Sequence, residues 1–188
     1  MLPTENHTLH SVILCFILLL FCWISSATAH IEKGSMPDSV AEMEFLILLE
    51  FEPDNLEVRN QLGMVLYRQG KLEEAEREFD YVLQKAPENF DAVDALGLVK
   101  LKQANYQLAA DLFKKAIALN PADMLIYYHL GQALEQQGNI NDAAEAYRAG
   151  LSLEATGPHK QGNTENRQAL LEALKNIQEQ SGLTQEIN

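Results

Sequence analysis

Five histidines, two cysteines and a crowd of glutamates are the side chains here whose types are suited to chemistry. His7 and His10 precede an apolar run, His30 follows it, His159 sits beside Gly157-Pro158, and His129 falls on a predicted helix next to Leu130. No two of them have metal-ligand spacing with a carboxylate nearby, no glycine-rich loop follows a strand pattern, and no Ser or Cys stands at a nucleophile elbow. Glu73, Glu74, Glu76 and Glu78 lie close together, but on a helix they read as a solvated face. The expectation is a chain that is not an enzyme, with no cofactor, no catalytic residue and no metal.

Partner classes narrow with the charge. The chain holds 14 Lys+Arg against 27 Asp+Glu, dispersed along its length rather than gathered in a tail. Nucleic acid and anionic membrane surfaces both need a cationic footprint, so neither is the expected partner. Cys15 and Cys22 both fall inside the apolar run, which leaves the rest of the chain without a disulfide or a thiolate ligand. Its stability must come from packing.

The apolar run extends unbroken from Val12 to Ile24 and is followed by Ser25-Ser26-Ala27-Thr28-Ala29. Ala27 and Ala29 make the small-x-small pattern of a signal peptidase site, with Ala29 the last residue removed. From Val12 to Ala29 the segment also reaches the lower limit of a membrane-spanning helix, about 17 residues. Residues 1–29 are thus a signal peptide or a signal-anchor helix, although no Lys or Arg precedes the run. Either way the expected location is the cell envelope: periplasmic or extracytoplasmic after cleavage near Ala29, or membrane-anchored through 12–29. Neither Cys follows a small residue as a lipid-attachment site would require. Beyond residue 29 a linker, 30–37, leads into the acidic remainder.

A period of 34 organises that remainder. Leu62-Gly63, Leu96-Gly97 and Leu130-Gly131 recur at this spacing, as do Ala75, Ala109 and Ala143; Phe79, Phe113 and Tyr147; and Pro53, Pro87 and Pro121. Extended backwards, the grid meets Ala41 and Phe45, the second half of a repeat ahead of the first full one. Small residues suit close helix crossings, and the aromatic one turn after each Ala is expected to plug the gap against the next helix.

The motifs QLGMVL and AEREF, ALGLVK and AADLF, and HLGQAL and AAEAY resemble the tetratricopeptide repeat family, whose pattern is W-x2-L-G-x2-Y, then A-x3-F, then P. The resemblance implies an all-α fold, a right-handed α-solenoid of antiparallel helix pairs with a C-terminal capping helix. The array covers 38–153, as a half repeat at 38–53 and repeats at 56–89, 90–123 and 124–157. Two slots depart from the pattern: the aromatic position holds Arg59, Val93 and Tyr127, and the later tyrosine position holds Leu66, Lys100 and Leu134. Lys100 implies a looser middle unit.

Helices are expected near 38–51, 55–68, 72–86, 88–102, 106–119, 122–136 and 140–153. Asn120-Pro121 is read as an N-cap with a first-turn proline, and Pro53 and Pro87 as doing the same work. Gly70 and Gly138 suit left-handed turns inside their units, a place taken in the middle unit by Ala104 with Asn105 beside it. After a polar loop, a helix at 165–180 carries Leu170, Leu171, Leu174 and Ile177 on one face and reads as the cap.

The family resemblance further implies a concave groove lined by the first helix of each pair, a surface that takes a peptide or a partner helix. Its residues would be Glu57, Asn60, Met64, Tyr67 and Arg68 in the first unit, and Asp91, Asp94, Leu98, Leu101 and Lys102 in the second. Leu125, Tyr128, Gln132, Glu135 and Gln136 would follow in the third. Relatives that grip a C-terminal carboxylate resemble one another in a Lys, Asn, Asn, Lys, Arg set, whereas here Asn60 and Met64 open the first unit and Asp94 and Leu98 the second. The expected function is that of a scaffold or adaptor whose partner is a protein segment with apolar anchors and basic residues; the alternatives are a self-associating scaffold at the membrane and a non-catalytic subunit of an envelope assembly or maturation complex.

Overall fold

The computed structural model describes residues 37–153 and 164–181. The signal or anchor segment, nearly all of the linker and the loop at 155–163 lie outside them. Among the described residues the regular structure is helical: α1 (Asp38–Phe51), α2 (Leu56–Arg68), α3 (Leu72–Lys85), α4 (Phe90–Lys102), α5 (Tyr106–Leu119), α6 (Met124–Gln136), α7 (Ile140–Ser152) and α8 (Thr164–Ser181). Each helix packs on its chain neighbours, and α2, α4 and α6 also touch one another in succession. This is an α-solenoid of helix pairs, α2–α3, α4–α5 and α6–α7, with α1 as a lone second helix ahead of them.

The turns between pairs correct one expectation. The prolines precede the helices by several residues, and the caps are Asn55, Asn89 and Asp123, whose side chains accept from the backbone N–H of Val58, Ala92 and Leu125. Asn120 ends α5 rather than starting α6. The reason is geometric: an N-cap must have extended backbone two or three residues before the donor it satisfies, and Asn or Asp two positions after each proline meets that need. The proline carbonyls are themselves engaged. Arg59 donates to Pro53 O, Lys115 to Pro87 O at 2.8 Å, and Tyr127 to Pro121 O at 3.2 Å. Arg59 and Tyr127, chemically unlike and two periods apart, do the same job.

Inside each pair the aromatic covers the glycine of the preceding helix of its own unit, and Phe79 and Phe113 share their core clusters with residues of the next helix. A Cβ added to Gly63 would stand 2.6 Å from Phe79, and one on Gly97 2.5 Å from Phe113; Tyr147 covers Gly131 in the same way. Ala75, Ala109 and Ala143 are fully buried one turn earlier. Glycine and alanine let the helices approach, and the ring fills what remains.

The tight turns at 70, 104 and 138 take left-handed backbone, with φ 78° at Gly70, 60° at Ala104 and 81° at Gly138. Ala104 therefore adopts it directly, and Asn105 instead caps α5 by accepting from Leu108 N. Nor is the middle unit loose at Lys100. That side chain is buried (8% exposed), its ammonium pairs with Glu76 on α3, and it donates to Gln103 Oε1 at 3.2 Å. A lysine in a leucine slot is accommodated by an acid in the preceding unit.

Candidate partner-binding groove

The first helices α2, α4 and α6 carry the residues assigned above to the groove, and the structure sorts them into three kinds. Met64, Tyr67, Leu98, Leu101, Leu125 and Tyr128 are half-buried, so each shows part of an apolar side chain at the surface. Glu57, Asp91 and Gln136 are exposed, as are Arg68 and Lys102, although these two cations also have partners within the fold. The remainder are tied into the fold.

Those ties run between units. Asn60 is buried, and its Nδ2 donates to Oδ1 of the cap residue Asn89 at 3.2 Å. Asp94 accepts from Nδ1 of His129 at 3.1 Å; that histidine is 8% exposed, with its ring 5.4 Å from Phe113. Asp94 is thus a structural acid joining α4 to α6. Arg68 forks onto Asp38 at the start of α1, with its Nη2 2.6 Å from Oδ1. Lys102 sits 4.7 Å from the centre of the Tyr67 ring and donates to its backbone oxygen at 3.4 Å. Burial, and then the nearby Asp94 charge, push the Tyr67 phenol above its ordinary pKa, which keeps it protonated. Both cations among the groove residues have internal partners, whereas the exposed acids Glu57 and Asp91 pair with no cation among the described residues.

At the C-terminal end the helices border an open-sided cavity of about 640 Å³. Leu101 and Tyr106 contribute from α4 and α5, Tyr128, Gln132, Glu135 and Gln136 from α6, and Tyr147 from α7. The far wall is α8, through Ala169, Glu172, Ala173 and Asn176. Tyr147 donates its hydroxyl to Glu135 Oε2 at 3.0 Å, and Gln132 Nε2 donates to the Tyr128 hydroxyl at 3.1 Å. Burial, reinforced by the Glu135 bond, raises the Tyr147 pKa far above the ordinary phenol value. The role expected of α8 from its sequence is that of a cap. Leu170 and Ile177 are indeed buried against the last pair, but Leu171 is exposed and Glu172 faces the cavity, so the helix both seals the core and walls the groove.

Among the described residues no three His, Cys, Asp or Glu side chains gather as a metal site, and no helix is long and apolar enough to cross a membrane.

A stacked array of helix pairs with a half-open apolar stripe along its first helices defines a helical repeat scaffold. Tetratricopeptide repeat models match residues 56–89 and 95–158, together just over half of the chain. The chain belongs to the tetratricopeptide repeat family. No curated protein matches it.

Among solved structures, a point mutant of MamA is similar at 23% identity, covering 77% of this chain and 78% of that one, with a TM-score of 0.60. The type III secretion translocator chaperone SycD of Yersinia enterocolitica is similar at 20% identity, covering 69% and 88%, with a TM-score of 0.62. SycD in complex with a peptide of the translocator YopD matches at 20% identity, 68% and 95% coverage and a TM-score of 0.61. At these identities the likeness is one of fold.

Proposed function

We propose that the protein is a non-catalytic adaptor that holds a segment of another protein in the groove formed by α2, α4 and α6. The observation that carries this reading is the row of half-buried apolar side chains, Met64, Tyr67, Leu98, Leu101 and Tyr128, repeated on the first helices of three successive pairs that also carry exposed Glu57 and Asp91. Surfaces of this make-up bind extended peptides or amphipathic helices through apolar anchors. SycD, of the same fold, has been captured with a translocator peptide. The expected partner segment carries apolar anchors and basic residues. Residues 1–29 would bring the array to the cell envelope, either cut after Ala29 or retained as an anchor through 12–29.

The test is a crosslinked pull-down of the full-length protein from intact cells, with mass spectrometry reading both the partners and the mature N-terminus. One dominant partner, lost on Tyr67→Ala or Asp91→Lys while the thermal midpoint holds, is the expected result. Capture unaltered by both substitutions would place the binding surface elsewhere. Asp94→Lys is not a clean probe, because Asp94 holds His129.

A self-associating scaffold is the second reading, and the observation favouring it is α1, whose apolar side chains are largely uncovered. Elution that shifts with protein concentration and is abolished by Phe51→Ser would select it.

A further inference from the structure

The C-terminal cavity differs in chemistry from the rest of the groove. Apolar surface from Leu101, Ala169 and Ala173 and the rings of Tyr106 and Tyr128 line it, and two carboxylates, Glu135 of α6 and Glu172 of α8, stand in the same walls. Among the described residues neither lysine nor arginine lines it. Glu135 is held in place by the hydroxyl of the buried Tyr147, so its negative charge is oriented before anything binds. The Tyr128 hydroxyl, already accepting from Gln132, keeps its own proton to donate. About 640 Å³ is within the range of cavities that enclose a ligand group.

On these grounds we propose that the cavity is a socket for a basic side chain of the partner segment. The methylene stem lies along Leu101 and the alanines of α8, the charged head meets Glu135 and Glu172, and the tyrosine faces add cation–π attraction. The proposal rests on the groove reading above and deepens it. It assigns one wall to α8, so the partner's basic residue is recognised only where the capping helix is docked. A segment whose anchors are all apolar would leave the two carboxylates without a counter-charge, and would bind less well than one carrying a basic residue.

The test uses the full-length chain in detergent micelles and a random peptide library. Selected peptides are titrated against the parent protein, Glu172→Gln, Glu135→Gln and, as a control in the groove outside the socket, Leu98→Ala. Expected is a basic residue common to the binders. Replacing it by Gln weakens binding about tenfold, Glu172→Gln weakens binding by a similar factor, and the two changes together cost no more than either alone. Glu172→Arg should then restore binding to peptides carrying Glu at that position. Losses that simply add would put the basic residue outside the socket and overturn the proposal. Binders sensitive to Leu98→Ala but indifferent to both glutamates would leave the groove standing and remove the socket. Binders indifferent to all three positions, or no binders, would remove both. Glu172 is exposed on α8, so its substitution leaves the core intact; Glu135→Gln keeps an acceptor for Tyr147.

Discussion

The two ends of the array are built differently. At the C-terminal end α8 lies on the last pair with Leu170 and Ile177 buried, and Gly150 lets it come close, with Leu170 near that backbone. At the N-terminal end α1 stands at the second-helix position of the repeat, and none of its residues is buried. Val40, Met43, Leu46, Ile47, Leu48 and Phe51 are exposed on it, Met43 at 63% and Phe51 at 80%. Phe45, which occupies the place of Phe79 and Phe113, is half-buried where they are fully buried. The aromatic in this fold is worth what its glycine-bearing partner helix lets it bury. In a solenoid each unit is stabilised by its neighbours, so an end with one neighbour is the weaker end. What ties α1 down is Phe45 and Leu49 packed on the core of the first unit, together with Arg68 on Asp38 and Lys71 on Glu42 at 2.7 Å.

The largest effect that would sharpen the contrast comes from the two phenylalanines. Phe113→Ala should destabilise the array by about 3–5 kcal/mol, whereas Phe45→Ala should cost less than half as much, read as denaturant midpoints. Equal costs would mean that α1 is covered as well as the middle unit is. Next, Leu170→Ala should cost about 2–5 kcal/mol and loosen the cavity wall along with the cap. A midpoint unchanged by that substitution would detach α8 from the core.

The ion pair between units adds a pH signature. The Lys100 ammonium holds the Glu76 carboxyl below its ordinary value of 4.5, against the opposing effect of burial. A lowered folded pKa gives stability that is fully present above the unfolded value and is lost as the pH falls through the folded one. Glu76→Gln should therefore lower the thermal midpoint at neutral pH, by about 1–2 kcal/mol in stability, and the gap between the two proteins should close in acid. A gap that widens in acid would contradict the assignment. Smaller again, Ala104→Gly should stabilise by about 1 kcal/mol, since alanine is strained in left-handed backbone and glycine is not. Smallest is Phe51→Ser, within about 0.5 kcal/mol for so exposed a side chain. Its readout is association rather than stability.

How much of this was legible in the sequence depended on how local the cause was. Gly63, Gly97 and Gly131 and their aromatic partners repeat at one spacing because the same close approach recurs in every unit, so the helical solenoid follows from the chain alone. The caps Asn55, Asn89 and Asp123 recur at that spacing too, but the more conspicuous prolines beside them drew the assignment. Asp94 looked like a rim acid because nothing in its own helix reveals His129, 35 positions away, as its partner. The cavity was out of reach for a related reason. α8 falls outside the period, so its pattern shows that it has an apolar face but not which side of the array that face meets, and Glu172 reads there as one more solvated acid.

The claim that this array works by holding another protein in its groove is tested most directly by a photo-crosslinking residue placed in the full-length protein in living cells. It would replace Leu98 in the groove, Phe51 on α1 or Lys114 on the outer surface of α5, one site at a time. The account predicts a discrete adduct with a different protein from position 98, absent from position 114. Adducts of the chain with itself from position 51, with none from 98, would contradict it.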